Sequence, residues 1–149
     1  MLSFNYVQVE HQMKKLDALQ VVVIEDDENL LRLYEVKFGS SDFPIDFVGF
    51  KLAKDAIDHM IVSSADLVIV DMQLPDINGY ELIDTLYTLF SMYGTKVIVV
   101  SGKDEVAIRK NGALPDDVSV FSKPVPFDYL LDKLQLMHAF KFGLSSKFM

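Results

Sequence analysis

The chain has 149 residues, half of them apolar, with 22 acidic against 14 basic side chains and a formal charge of -8. One sizeable core is within reach of that length, and the negative balance argues against direct binding to a duplex phosphate backbone, since no basic cluster is denser than Lys14-Lys15 or Arg109-Lys110. No cysteine is present, which excludes disulfides, thiolate metal sites and cysteine nucleophiles together. Residues 1–18 read as an N-terminal extension in which Met13, Leu16 and Leu19 stand at helical spacing. The first strand is "LQVVVI" (19–24), followed by a helix over about 28–38. Next come the strand "IDFVGF" (45–50) and a helix over 52–62, then "DLVIV" (66–70) and a helix over 79–92. "KVIVVS" (96–101) leads to a helix over 104–111 that Gly112 and Pro115 shorten, and "VSVFS" (118–122) to a last helix over 127–140. Residues 141–149 form a C-terminal tail.

Four of the five strands are continuously apolar or nearly so, as suits a parallel sheet covered on both faces. Strand and helix alternating five times imply right-handed crossovers and a doubly wound α/β fold of three layers. Such sheets bind ligands just beyond the carboxyl ends of their strands. Here those ends carry Glu25, Asp26 and Asp27 after the first strand, Asp71 after the third, Ser101 after the fourth and Lys123 after the fifth. Crowded carboxylates repel one another unless a cation sits among them, and oxygen ligands without histidine or cysteine suit Mg²⁺. An aspartate held against Mg²⁺ beside a lysine is arranged to accept a phosphoryl group as a nucleophile. Each piece has a plainer explanation. Asp26 or Asp27 can cap the helix that starts near Glu28, Ser101 can form a strand-end turn, and Lys123 before Pro124 can be a solvated loop residue. The functional reading gains from all of them falling on one rim of one sheet.

The segments "VVVIEDDENLLRLYE", "LVIVDMQLPDINGYELI" and "VFSKPVPFDYLL" resemble the receiver domain of two-component response regulators, over about Gln20 to Leu136. The separations of Asp26, Ser101 and Lys123 from Asp71 also match that family. The resemblance implies a flavodoxin-like (βα)5 fold with strand order 2-1-3-4-5, occupying residues 19–140. It implies that Asp71 takes a phosphoryl group from a sensor histidine kinase or a histidine phosphotransfer protein. Glu25, Asp26 and Asp71 would hold Mg²⁺ or Mn²⁺ with the backbone carbonyl of Gln73, Asp26 being the direct ligand of the acidic pair. Ser101 would bond a phosphoryl oxygen, Lys123 would pair with the phosphate, and the Lys123–Pro124 bond would be cis.

Two departures from the family pattern are visible. The secondary switch position, three residues before the lysine, usually carries an aromatic ring and is Val120 here. The usual small-residue run before the fifth strand is replaced by "ALPDDVSV". Both lie on the face by which receivers commonly signal. A dehalogenase-type phosphatase would need a second aspartate where Gln73 stands, and a nucleotide or flavin binder would need a Gly-rich first loop rather than "IEDDEN". The alternative carried forward is a receiver-like module that binds its partner or dimerises without phosphate. The apolar residues Phe4, Tyr6 and Val7 near one end and Phe140, Phe142, Leu144 and Phe148 near the other suggest packing on the domain or on a second copy. No apolar run approaches the roughly 20 residues of a membrane span, and the first residues lack a secretory signal pattern. A cytoplasmic, free-standing regulator or phosphorelay carrier that acts through an unidentified protein target is the expected function. It would be a substrate with modest self-catalysis rather than a turnover enzyme.

Overall fold

The β-branched runs form five strands that pair in parallel in the order β2-β1-β3-β4-β5. The structure, a computed structural model, describes residues 17–143 and only the backbone of 88–90. Phe4, Tyr6, Val7, Met13, Leu16, Leu144 and Phe148, with the expected N-terminal helical turn, lie outside the described residues. In chain order the elements are β1 (Leu19–Ile24), α1 (Glu28–Gly39), β2 (Ile45–Phe50), α2 (Ala53–Val62), β3 (Leu67–Asp71) and α3 (Gly79–Tyr93). β4 (Lys96–Ser101), α4 (Glu105–Asn111), β5 (Ser119–Ser122) and α5 (Phe127–His138) follow, and a π-helical turn (Ala139–Gly143) extends α5. This is the doubly wound sheet and strand order that the sequence predicts.

Strand alternation divides the core into two layers. Val22, Ile24, Val68, Val70, Val97, Val99 and Val120 face α2, α3 and α4, where Ala56, Leu82, Ile83 and Ile108 cover them. Val21, Val23, Leu67, Ile69, Ile98 and Val100 face α1 and α5, against Tyr34, Phe38, Leu130 and Leu134. Both faces of β3 and nearly all of β1 and β4 are buried, so these three central strands read as unbroken apolar runs. β2, the one strand with an acid in its interior, is an edge strand and stays half-exposed.

Several boundaries shift by one or two residues from the pattern in the sequence, and three of the shifts have a visible cause. β3 runs one residue further than its apolar run, because Asp71 still pairs with Val100. β5 begins at Ser119 rather than Val118, whose N–H is bonded to the Pro115 carbonyl as part of a turn. The last helix is α-helical only to His138, and the wider turn after it is held at the amino-terminal edge of the sheet. There His138 Nε2 lies 2.8 Å from the Asp17 carbonyl oxygen, the His138 ring stacks at a tilt on Phe43 and Phe142, and Lys141 pairs with Asp66 at 2.7 Å. Phe140, by contrast, is exposed.

The segment between β3 and α3 folds back on itself. Gln73 and Asn78 form an antiparallel bridge, and Gly79 lies so close to Met72 that a Cβ there would sit 2.8 Å from the Met72 Cα. Gly39, within the last turn of α1, has nothing within 4 Å of the same atom. A backbone atom cannot step aside as a side-chain tip can, so Gly79→Ala is expected to destabilise the protein by roughly 1–3 kcal/mol, whereas Gly39→Ala costs nothing measurable. Urea unfolding of the two variants checks this, and equal midpoints would contradict it.

Candidate functional site

Register alone sets the frame of the site. Ile24 pairs with Val70, so Glu25, the next residue, comes level with Asp71 at the carboxyl end of β3. Asp71 pairs with Val100, which places Ser101 one step beyond, and Ser101 pairs with Ser122, which brings Lys123 to the same rim. Hydrogen bonds tie the ends of β4 and β5 further, since Lys123 N–H donates to the Ser101 carbonyl at 2.7 Å. The bond between Lys123 and Pro124 is cis, as the resemblance implies.

The side chains converge on the frame. Lys123 Nζ donates to Glu25 Oε1 at 2.8 Å and to Asp71 Oδ2 at 3.2 Å. Asp71 Oδ1 accepts the N–H of Gln73 at 2.9 Å, a local turn that starts the loop. Glu25 is 2% exposed and Asp71 6%, while Asp26 stands exposed at the mouth. One carboxylate oxygen from each of Glu25, Asp26 and Asp71 lies within 4.8 Å of the others, and Glu25 Oε2 is buried without a hydrogen-bond partner among the described residues. Three carboxylates and one ammonium leave an excess of negative charge in a partly dry site. An all-oxygen donor set with a buried unsatisfied oxygen fits a hard divalent cation. An open cleft lined by Asp26, Gln73, Pro75 and Asn78 adjoins it.

The electrostatics report the same crowding. Burial, reinforced by Asp71, pushes the Glu25 carboxyl up from its ordinary 4.5 to about 8, against the pull of Lys123. Lys123 is raised as well: its partial burial works against the charge, but the two acids outweigh that. Tyr34, on the buried face of α1, is also raised, first by burial and then by the charges of Glu25 and Asp71.

Every candidate site residue named from the sequence falls on this rim except Val120, which points into the core beneath it. Asp27 does what the plainer explanation says: its carboxylate caps α1, accepting from Asn29 N–H at 2.9 Å and Leu30 N–H at 3.3 Å. Ser101 is buried and its Oγ accepts the Lys103 N–H at 3.1 Å, so it forms a strand-end turn and still has its own proton to give. Sequence reasoning passed over Asp76, five positions after Asp71. Its carboxylate accepts the first two N–H groups of α2, those of Ala53 and Lys54, at 3.1 Å each. The signal was an absence: Leu52, at the head of α2, offers no side-chain cap, so the acceptor has to come from elsewhere.

Comparison with known proteins agrees with this geometry. The response regulator receiver domain family matches residues 21–135. The chain is similar to the response regulator ArlR of Staphylococcus aureus, with 30% identity over 122 residues, covering 78% of this chain and 51% of the relative. It thus spans about half the length of the curated relatives it matches. Among solved structures, the receiver domain of the Francisella response regulator 1452 superposes with a TM-score of 0.66 at 23% identity, covering 83% of this chain and 98% of the other. The signal receiver domain of a LuxO repressor protein from Vibrio parahaemolyticus gives 0.65 at 25% identity, covering 87% and 95%.

A carboxyl group raised on folding keeps its proton in the native state after the unfolded chain has lost it. Stability therefore falls as pH rises from about 4.5 to about 8, the interval between the ordinary and raised values of Glu25. In chelator, urea midpoints of the wild type are expected to drop across that window, and Glu25→Gln is expected to flatten the drop. A variant that follows the wild-type curve would show that Glu25 is not its source.

Proposed function

The chain belongs to the response regulator receiver domain family, and on that premise we propose that Asp71 accepts a phosphoryl group from a phosphohistidine of a sensor histidine kinase or histidine phosphotransfer protein. The observation that carries this is the meeting of Asp71 with Glu25 and Asp26 within 4.8 Å while Lys123 bridges two of the three. An Asp71 carboxylate oxygen attacks phosphorus and forms the new P–O bond. The P–N bond breaks, and its electron pair leaves with the imidazole nitrogen, which takes up a proton. Asp71 is thereby an acyl phosphate.

Glu25, Asp26, Asp71 and the Gln73 carbonyl would hold Mg²⁺ or Mn²⁺. Such an ion supplies positive charge to the phosphoryl oxygens as they transfer. The other work belongs to this chain. Lys123 Nζ, already 3.2 Å from Asp71 Oδ2, exchanges a carboxylate partner for a phosphoryl oxygen and offsets the added charge. Ser101 donates its hydroxyl proton to another. Burial of Glu25 and Asp71 keeps the developing charges in a low-dielectric setting where these contacts count for more. The phosphorylated form then differs from the free form in the backbone around Ser101 and Lys103, and that difference alters affinity for a protein target.

With a small phosphodonor and Mg²⁺ the wild type is expected to take up one phosphoryl group, and Asp71→Asn none while keeping its fold. Intact mass and circular dichroism check this, and labelling retained in the variant would refute the assignment. A second outcome separates signalling from packing. Ser101→Ala is expected to weaken the phosphorylation-dependent change in hydrogen exchange over residues 101–115, whereas Val120→Ala loses roughly 1–3 kcal/mol of stability and leaves that change in place. Exchange differences confined to β5 would count against this route.

A further inference from the structure

Asp76 sits at the tip of the loop that carries Gln73, and its bonds leave the loop altogether. Helix α2 has no cap of its own, since Leu52 stands at the cap position. The Asp76 carboxylate fills that place from 23 residues away, with Oδ1 accepting Ala53 N–H and Oδ2 accepting Lys54 N–H. Desolvation would raise the Asp76 carboxyl, but the Lys54 and Ala53 N–H groups outweigh it and hold the group below its ordinary value. The charged form is therefore the one that binds, and hydrogen bonds to an ionised acceptor are the strong kind.

The rest of the loop has little freedom. It begins at Asp71, whose own carboxylate bonds the Gln73 N–H, closes through the Gln73–Asn78 bridge, and ends where Gly79 rests on Met72. Gln73 lies between two fixed points, the strand end and the tip. The backbone that carries its carbonyl is thus anchored on both sides, and the tip cannot move without giving up two bonds to α2.

We infer that Asp76 is a positioning residue for the cation site: by clamping the loop tip to the head of α2 it holds the Gln73 backbone beside Asp71, where its carbonyl would complete the ligand set of Glu25, Asp26 and Asp71. This rests on the phosphoacceptor reading of Asp71 and adds to it a tether that touches neither phosphate nor ion. Coupling of this kind is reciprocal. Filling the site with Mg²⁺ tightens the Asp76 clamp, and loss of the clamp weakens Mg²⁺ by the same factor.

The test is calorimetric titration of Mg²⁺ alone into the wild type, Asp76→Ala, Asp76→Asn and Thr95→Ala, together with hydrogen exchange of the wild type with and without Mg²⁺. Thr95 bonds the Ala65 carbonyl at 2.6 Å, at the opposite edge of the sheet, and its variant controls for a general loss of stability. Asp76→Ala is expected to bind Mg²⁺ about tenfold more weakly, at the low end of what removing an outer partner of a metal ligand costs. Asp76→Asn binds Mg²⁺ more weakly than the wild type but more tightly than Asp76→Ala, because its uncharged amide oxygen can accept only one of the two N–H groups, and Thr95→Ala binds as the wild type does. In the wild type, Mg²⁺ slows exchange of the Ala53 and Lys54 amides. Wild-type affinity in Asp76→Ala, or amides of Ala53 and Lys54 indifferent to Mg²⁺, would overturn the inference and leave the phosphoacceptor reading standing. Should Asp76→Ala not fold, the Asp76→Asn titration and the wild-type exchange decide. A wild type that binds no Mg²⁺ would overturn both.

Discussion

A carboxylate that is almost wholly out of water, with one oxygen on Lys123 and the other on no hydrogen-bond partner among the described residues, is the constraint around which the site is built. Burying a charge is tolerable only when it is paired, neutralised or bound to a cation. Lys123 cannot satisfy Glu25 fully, because the same ammonium also serves Asp71. Burial with Asp71 beside it raises the Glu25 carboxyl, which favours its protonated form and so eases the crowding. A divalent cation is the more complete remedy. The residues that crowd one another here are those that would ligate it, so binding an ion would relieve the crowding.

The sheet makes such crowding affordable. Asp66 and Asp71 stand five positions apart on and just before the same strand, yet their surroundings are opposite. At the amino-terminal edge, Asp66 accepts the Gln20 N–H and the Lys141 ammonium, and Thr95 ties the neighbouring carbonyl of Ala65. Those groups are satisfied, and they lock the turn that follows α5 to the base of the sheet. Between the two edges lie valines, leucines and isoleucines buried on both faces of the three central strands. Truncating one such Leu or Ile to alanine typically costs about 2–5 kcal/mol, so the apolar layers hold the strand ends in place while one rim remains unfavourable. Parallel pairing is what puts all the carboxyl ends on that rim.

How much of this was legible in the sequence depended on the range over which each signal acts. The strands were legible because a run such as "VVVI" is buried on both faces and needs no partner to announce it. The site residues were legible because a polar group directly after such a run is forced to the rim. Asp27 was legible as a cap because the N–H groups its carboxylate accepts lie two and three residues away. The role of Asp76 was not, since its partners at Ala53 and Lys54 belong to another helix and nothing in "PDING" names them. The same holds for Lys141 with Asp66, 75 positions apart. The end of α5 was misplaced for a related reason: helical periodicity continues past His138, and only contacts with Phe43 and Asp17 mark where the winding changes.

The Val120 departure also has a physical consequence. A valine at 8% exposure in the layer under α4 is a packed core residue, stiff at χ1 and without a ring to exchange between two positions. The ring on that side comes instead from α3. Tyr80 donates its hydroxyl to the Ile108 carbonyl in α4, and its ring lies so close to Gly112 that a Cβ there would be 2.6 Å from it. Arg109 holds α4 from the other end of its last turn through the carbonyls of Pro115 and Val118. Helix α4 is thus suspended between α3, whose first turn follows the Asp71 loop directly, and the start of β5. Its own beginning is set by Asp104, which caps it, directly after the turn that Ser101 closes on Lys103. Two connections therefore link the rim to α4, one through the loop and the Tyr80 side chain and one along the backbone from Ser101 to Asp104, and neither passes through a side chain on β5.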